Sequence, residues 1–136
     1  MRRRPSALGP LALVGSLLLS LAACESSVDR QRATICRRVV PALAPPDTAI
    51  RLLRVGPGPG PDAVRVDYAV TGRPGQAARQ RWVACGFGPG AELLGLATES
   101  GPVSGPNLYL LRHYYLDTPE AAAADPGKAP ATGEAH

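Results

Sequence analysis

A chain of 136 residues that holds two histidines, one tryptophan, one phenylalanine, one methionine and a single lysine is short of several kinds of chemistry at once. His113 and the terminal His136 are the only imidazoles and no Cys-x-x-Cys spacing occurs, so a zinc site lacks its ligands and a dithiol redox site its motif. A nucleophilic hydrolase needs a serine or cysteine beside a base. Ser100 and Ser104 lie in Gly/Pro turns without a Gly-x-Ser-x-Gly elbow, and nothing supplies His113 with catalytic partners. Carboxylate pairs such as Glu92 with Glu99 occur in any chain. The glycines alternate with prolines, which lack the N–H that a phosphate cradle uses. The sequence therefore predicts a non-enzyme with no cofactor and no metal. No apolar run reaches the roughly 20 residues of a spanning helix.

What is present begins with Met1-Arg2-Arg3-Arg4, followed by an apolar stretch from Leu8 to Leu21 broken only by small residues and Pro10, and then Leu21-Ala22-Ala23-Cys24. A basic start, a short apolar stretch and a small-residue cleavage site are the three parts of an export signal. An uncleaved membrane anchor fits less well, because the stretch is short and small residues sit where a peptidase cuts. A twin-arginine signal also fits less well, since Pro5-Ser6-Ala7 follow the arginines where large apolar residues are wanted. Leu21-Ala22-Ala23-Cys24 resembles the lipobox of bacterial lipoproteins. The resemblance covers residues 1–24 and implies that the Cys24 thiol receives a diacylglyceryl group before cleavage ahead of it, with acylation of the freed amine to follow. Two or three acyl chains give stable anchoring where one does not. The expected localisation is the cell envelope, lipid-anchored and facing the periplasm. Glu25, where enterobacterial lipoproteins retained in the inner membrane carry Asp, leans toward the outer membrane.

Removing residues 1–23 also removes most of the basicity. Twelve Lys/Arg remain (15 less Arg2, Arg3 and Arg4) against 11 Asp/Glu, a net of +1 that gives no support for a nucleic-acid partner. Charge is unevenly spread, with ten arginines against four aspartates from Asp29 to Arg81, and Arg112 and Lys128 against six acids from Trp82 onward. The basic half reads as a solvated arginine surface or, beside the anchor, as a face for anionic headgroups.

With Cys24 lipidated, Cys36 and Cys85 remain. Two cysteines in an exported domain usually pair because the compartment is oxidising. The loop they close, about 50 residues, is worth roughly 4 kcal/mol in the chain-entropy model, which suits a domain with few aromatics.

Along the chain, Ser26-Ser27-Val28-Asp29 reads as a capping box that opens a helix from about Ser27 to Ala44, ending before Pro45-Pro46. Val28, Ile35, Val39 and Leu43 form its expected apolar stripe, with Cys36 on the shoulder. Arg32 breaks the stripe and is expected either to reach solvent or to neutralise a buried acid. Pro41 is a candidate early stop, near Val40. Strands follow at Ala49–Val55, Ala63–Val70, Gln80–Phe87 and Glu92–Thr98, separated by Gly/Pro turns. Val64, Val66, Tyr68 and Val70 alternate to one face, and Val83, Cys85 and Phe87 share a face opposite Trp82. Residues 107–116 suit a helix opened by Pro106, or a strand on the strength of their tyrosines. From Thr118 the Ala/Pro/Gly-rich tail is expected to be disordered.

The fold class that results is α+β: an N-terminal helix on a small antiparallel sheet of about four strands, then a C-terminal helix and a tail. The domain plan is 1–23 signal, 24–117 domain and 118–136 tail. Read as a helix, 107–116 turns Leu110 and Tyr114 away from Leu108 and Leu111, which means deep burial, the favoured reading, or a partner surface. Two functions are expected: an accessory module that binds another envelope component, and a carrier of a small apolar ligand on the sheet face around Trp82.

Overall fold

The computed structural model describes residues 26–128, with the side chain of Ser26 excepted. The export signal, Cys24 and the capping role assigned to the Ser26 side chain lie outside the described residues. Helix α1 spans Ser26–Leu43. Strands β1 (Ala49–Pro57), β2 (Ala63–Thr71), β3 (Arg79–Phe87), β4 (Leu93–Thr98) and β5 (Gly101–Pro102) follow, then helices α2 (Gly105–Tyr114) and α3 (Pro119–Ala123). The five strands form one antiparallel meander in the order β1-β2-β3-β4-β5, so the fold is α+β as the sequence predicts. Among the described residues no helix is long and apolar enough to cross a membrane.

Short Gly/Pro turns force the meander, because each returns the chain beside the strand it has just left. Alternation then sorts the faces. Val64 stands opposite Cys85 and Val66 opposite Val83, and these four side chains point toward α1 with Tyr68, Phe87, Leu93 and Leu96. Cys36 of α1 and Cys85 of β3 are disulfide-bonded, with Cα atoms 5.9 Å apart.

The buried stripe of α1 is centred about one residue away from its expected place. Cys36, Val39 and Val40 are completely buried and Arg32 is 8% exposed, whereas Val28 is 38% exposed. Positions 32, 36, 39, 40 and 43 follow helical periodicity closely, so Arg32 is a member of the stripe rather than an interruption of it. Pro41 does not end the helix. Ala44 N–H donates to Val40 O at 3.0 Å, and Leu43 packs against the core cluster, which outweighs the bond lost at the proline.

Residues 118–128 depart from the expected disorder, and the rest of the tail lies outside the described residues. Thr118 caps α3 by accepting from Ala121 N–H at 3.2 Å, Pro119 occupies its first turn, and Ala121 is completely buried. Asp125 then returns to α1 and pairs with Arg37 at 3.1 Å. The folded domain thus runs past 117, because Thr-Pro-Glu is a helix start and a buried ion pair fastens the chain after α3 to α1.

Candidate functional site

Helix α2 leaves the sheet at Ser104, whose hydroxyl accepts from Asn107 N–H at 3.4 Å, and Pro106 sits in its first turn. Leu108 and Leu111 pack against the core together with Tyr115 and Leu116. Near its end Arg112 donates to Glu92 at 3.0 Å, tying α2 to the start of β4. No residue of α2 is fully buried.

The side of α2 turned away from the core carries Tyr109, Leu110 and Tyr114, which are 53%, 54% and 68% exposed. The Tyr109 ring lies 4.2 Å from the His113 ring and meets Tyr114 edge-on at 6.3 Å. Burial of Leu110 and Tyr114, the reading favoured from sequence, is therefore incorrect: the helix rests on one edge of the domain and only one of its faces is covered. A contiguous set of exposed apolar and aromatic side chains remains, the composition found at recognition surfaces.

The other residues singled out in sequence are not brought together. Ser104 is a helix cap, and nine residues of helix put it about 13 Å from His113. The Ser100 backbone N–H donates to Thr98 Oγ1 in the turn after β4. Glu92 and Glu99 stand at opposite ends of β4, about 20 Å apart at the rise of a strand. Glu92 pairs with Arg112, and Glu99 pairs with Arg81 at 3.7 Å while accepting from Trp82 N–H. Among the described residues no group of three or more His, Cys, Asp or Glu is placed to hold a metal ion.

Trp82 lies on the helix-free face of the sheet, opposite Asp67 on the neighbouring strand. The Arg65 guanidinium sits 4.8 Å from the centre of its ring, and Arg65 also pairs with Asp67 at 2.9 Å. The depression on this face is lined by Arg54, Gly56, Pro57, Arg65, Asp67 and Gln80. Charged and amide groups make up most of that lining.

Two polar clusters were not legible in the sequence. Arg32 donates to Gly90 O at 2.7 Å, to Gly88 O at 2.9 Å and to Asp62 at 3.1 Å, with its guanidinium 5.9 Å from the Phe87 ring centre. It joins α1 to the β1–β2 and β3–β4 turns. Asp62 is half exposed, so the role of Arg32 is to saturate turn carbonyls rather than to neutralise a buried acid. The second cluster is Asp125 with Arg37 and Arg38. Burial by itself raises the Asp125 carboxyl. Hydrogen bonds from Arg37 and Gly127 N–H and the charges of both arginines outweigh that and hold it below the ordinary carboxylate value. Arg38 Nε stands 3.6 Å from Asp125, so its attraction is Coulombic rather than a hydrogen bond. Tyr68 is raised by burial, with the Glu99 carboxylate adding and Arg81 opposing, and Tyr115 is raised by burial.

Comparison of the chain with family models, with curated proteins and with solved structures finds no match.

Proposed function

We propose that the protein is a lipid-anchored accessory module of the bacterial cell envelope, held at a membrane through Cys24, which binds a protein partner through the outer face of α2. The observation that carries the binding role is the exposure of Tyr109, Leu110 and Tyr114 side by side on a helix whose opposite face is packed. Tyrosine supplies large contact area at low entropic cost, and exposed apolar clusters on small domains mark interaction sites. The anchoring role rests on the lipobox resemblance at residues 21–24.

The alternative, an apolar-ligand carrier on the sheet face, has less support, because the depression beside Trp82 is lined mostly by charged and amide groups. The test compares the wild-type chain with a Tyr109→Ser/Leu110→Ser/Tyr114→Ser variant, both expressed in the native host and crosslinked mildly before membrane extraction. A discrete partner is expected with the wild type and not with the variant, at equal abundance and thermal stability. Identical recovery from both would refute the α2 surface.

A further inference from the structure

We infer that the end of the domain formed by the β1–β2 and β3–β4 turns is a membrane seat that rests on the bilayer interface beside the lipid. The inference depends on the anchoring reading and adds an orientation to it.

Position places this end near the lipid. Only Glu25 separates Cys24 from the first residue of α1, so the lipid must enter the bilayer within several ångströms of the start of that helix. Arg32, two turns into α1, hydrogen-bonds Asp62 of the β1–β2 turn and Gly88 and Gly90 of the β3–β4 turn. The start of α1 and these two turns therefore share one end of the molecule. The β2–β3 turn and the Glu99–Ser100 turn lie at the other end, one strand length away.

A bilayer interface penalises unpaired backbone polar groups, and part of those at this end are absent or paired. Pro57, Pro59, Pro61 and Pro89 in and beside the two turns have no N–H to desolvate. Gly58 N–H donates to Ala63 O, Ala63 N–H to Gly60 O and Gly88 N–H to Glu92 O. Arg32 takes up the Gly88 and Gly90 carbonyls. Gly58 is required for this closure, since a Cβ there would stand 2.7 Å from Ala63 Cβ.

The side chains here suit the same surroundings. Leu94, Val28 and Val55 are 54%, 38% and 37% exposed at this end. Among the described residues the acids nearby each lie within 4 Å of an arginine, Asp62 and Asp29 of Arg32 and Glu92 of Arg112. Arg30 and Arg54 bring the arginines of this end into balance with Glu25, Asp29, Asp62 and Glu92, so no net negative charge opposes an anionic leaflet. The surface offered to the lipid is thus apolar side chains, proline rings and turns whose polar groups are partly paired within the protein.

The test uses the full lipidated chain in vesicles of phosphatidylethanolamine and phosphatidylglycerol. With Cys24 acylated and Cys36 bonded to Cys85, one introduced cysteine is the sole thiol for a nitroxide label. Pro59→Cys and Leu94→Cys report on the seat, and Arg73→Cys and Ser100→Cys on the far end. Access of an aqueous nickel complex is expected to be several-fold lower at 59 and 94 than at 73 and 100. Equal access at all four positions, with the chain still floating with the vesicles, overturns the seat and leaves the anchor standing. Flotation of Cys24→Ser reports on the anchor alone and is expected to be lost. As a second check, Val28→Asp/Leu94→Asp should raise nickel access at position 59 without releasing the lipidated chain, and unchanged access there also counts against the seat.

Discussion

Helices α1 and α2 cover the same sheet and use it in opposite ways. α1 sinks Cys36, Val39 and Val40 completely into the core, carries one half of the disulfide and holds two turns through Arg32. α2 buries no residue completely and leaves Tyr109 and Leu110 half exposed and Tyr114 about two-thirds exposed. A domain of this size has little apolar surface to spare, so large side chains left half or more exposed on α2 contribute less to folding than those α1 buries. Burial is concentrated in α1, and substitutions on the outer face of α2 are expected to cost the fold least.

That contrast yields a graded set of outcomes. Cys36→Ala/Cys85→Ala removes a link that closes 49 residues of sequence separation and is expected to cost about 4 kcal/mol, read from urea unfolding with intact and doubly substituted chains. A loss near zero would show that α1 does not depend on the link. Arg32→Met keeps the stem but strips the turns of their donor, at about 3 kcal/mol for bonds to a charged group, and amide exchange should rise at Gly88–Glu92 before it rises elsewhere. Protection unchanged in that segment would disconnect Arg32 from the turns.

Asp125→Asn is expected to cost about 1.5 kcal/mol at neutral pH. The folded carboxyl lies below its ordinary value, so its contribution is present above the unfolded value and disappears as pH falls through the folded one. The gap in melting temperature between wild type and Asp125→Asn should therefore close on acidification, and a gap constant with pH would mean the ion pair is not its source. Gly127→Ala, whose Cβ would press into the Arg37 side chain that Asp125 holds, should act in the same direction and add little on top of Asp125→Asn. Smallest of all, Tyr114→Ser should change stability by less than about 0.5 kcal/mol, as for other surface positions. A larger loss would place α2 inside the cooperative core and erase the contrast.

The sheet was readable from the chain because alternation and Gly/Pro turns act locally. Val64, Val66, Tyr68 and Val70 declare their face within eight residues, and β2 and β3 differ from expectation by one residue at an end. Periodicity misplaces the α1 stripe because an arginine counts as polar, while the carbonyls that make Arg32 suitable for burial lie 56 and 58 residues away. Asp125 is not legible in the sequence for the same reason, its partner being 88 residues distant. The α3 cap at Thr118-Pro119 was present in the sequence but was outweighed by the composition of the tail around it. For Leu110 and Tyr114 the pattern gave two apolar faces and no indication of which the domain covers, since that depends on α2 lying at an edge.

The most direct test of the outer face of α2 as a docking surface places a photo-crosslinking residue at position 114 of the full chain in its native host, with position 31 on the exposed side of α1 as the control. One discrete adduct is expected at 114 and none at 31. The same pattern from both positions, or no adduct from 114, would contradict it.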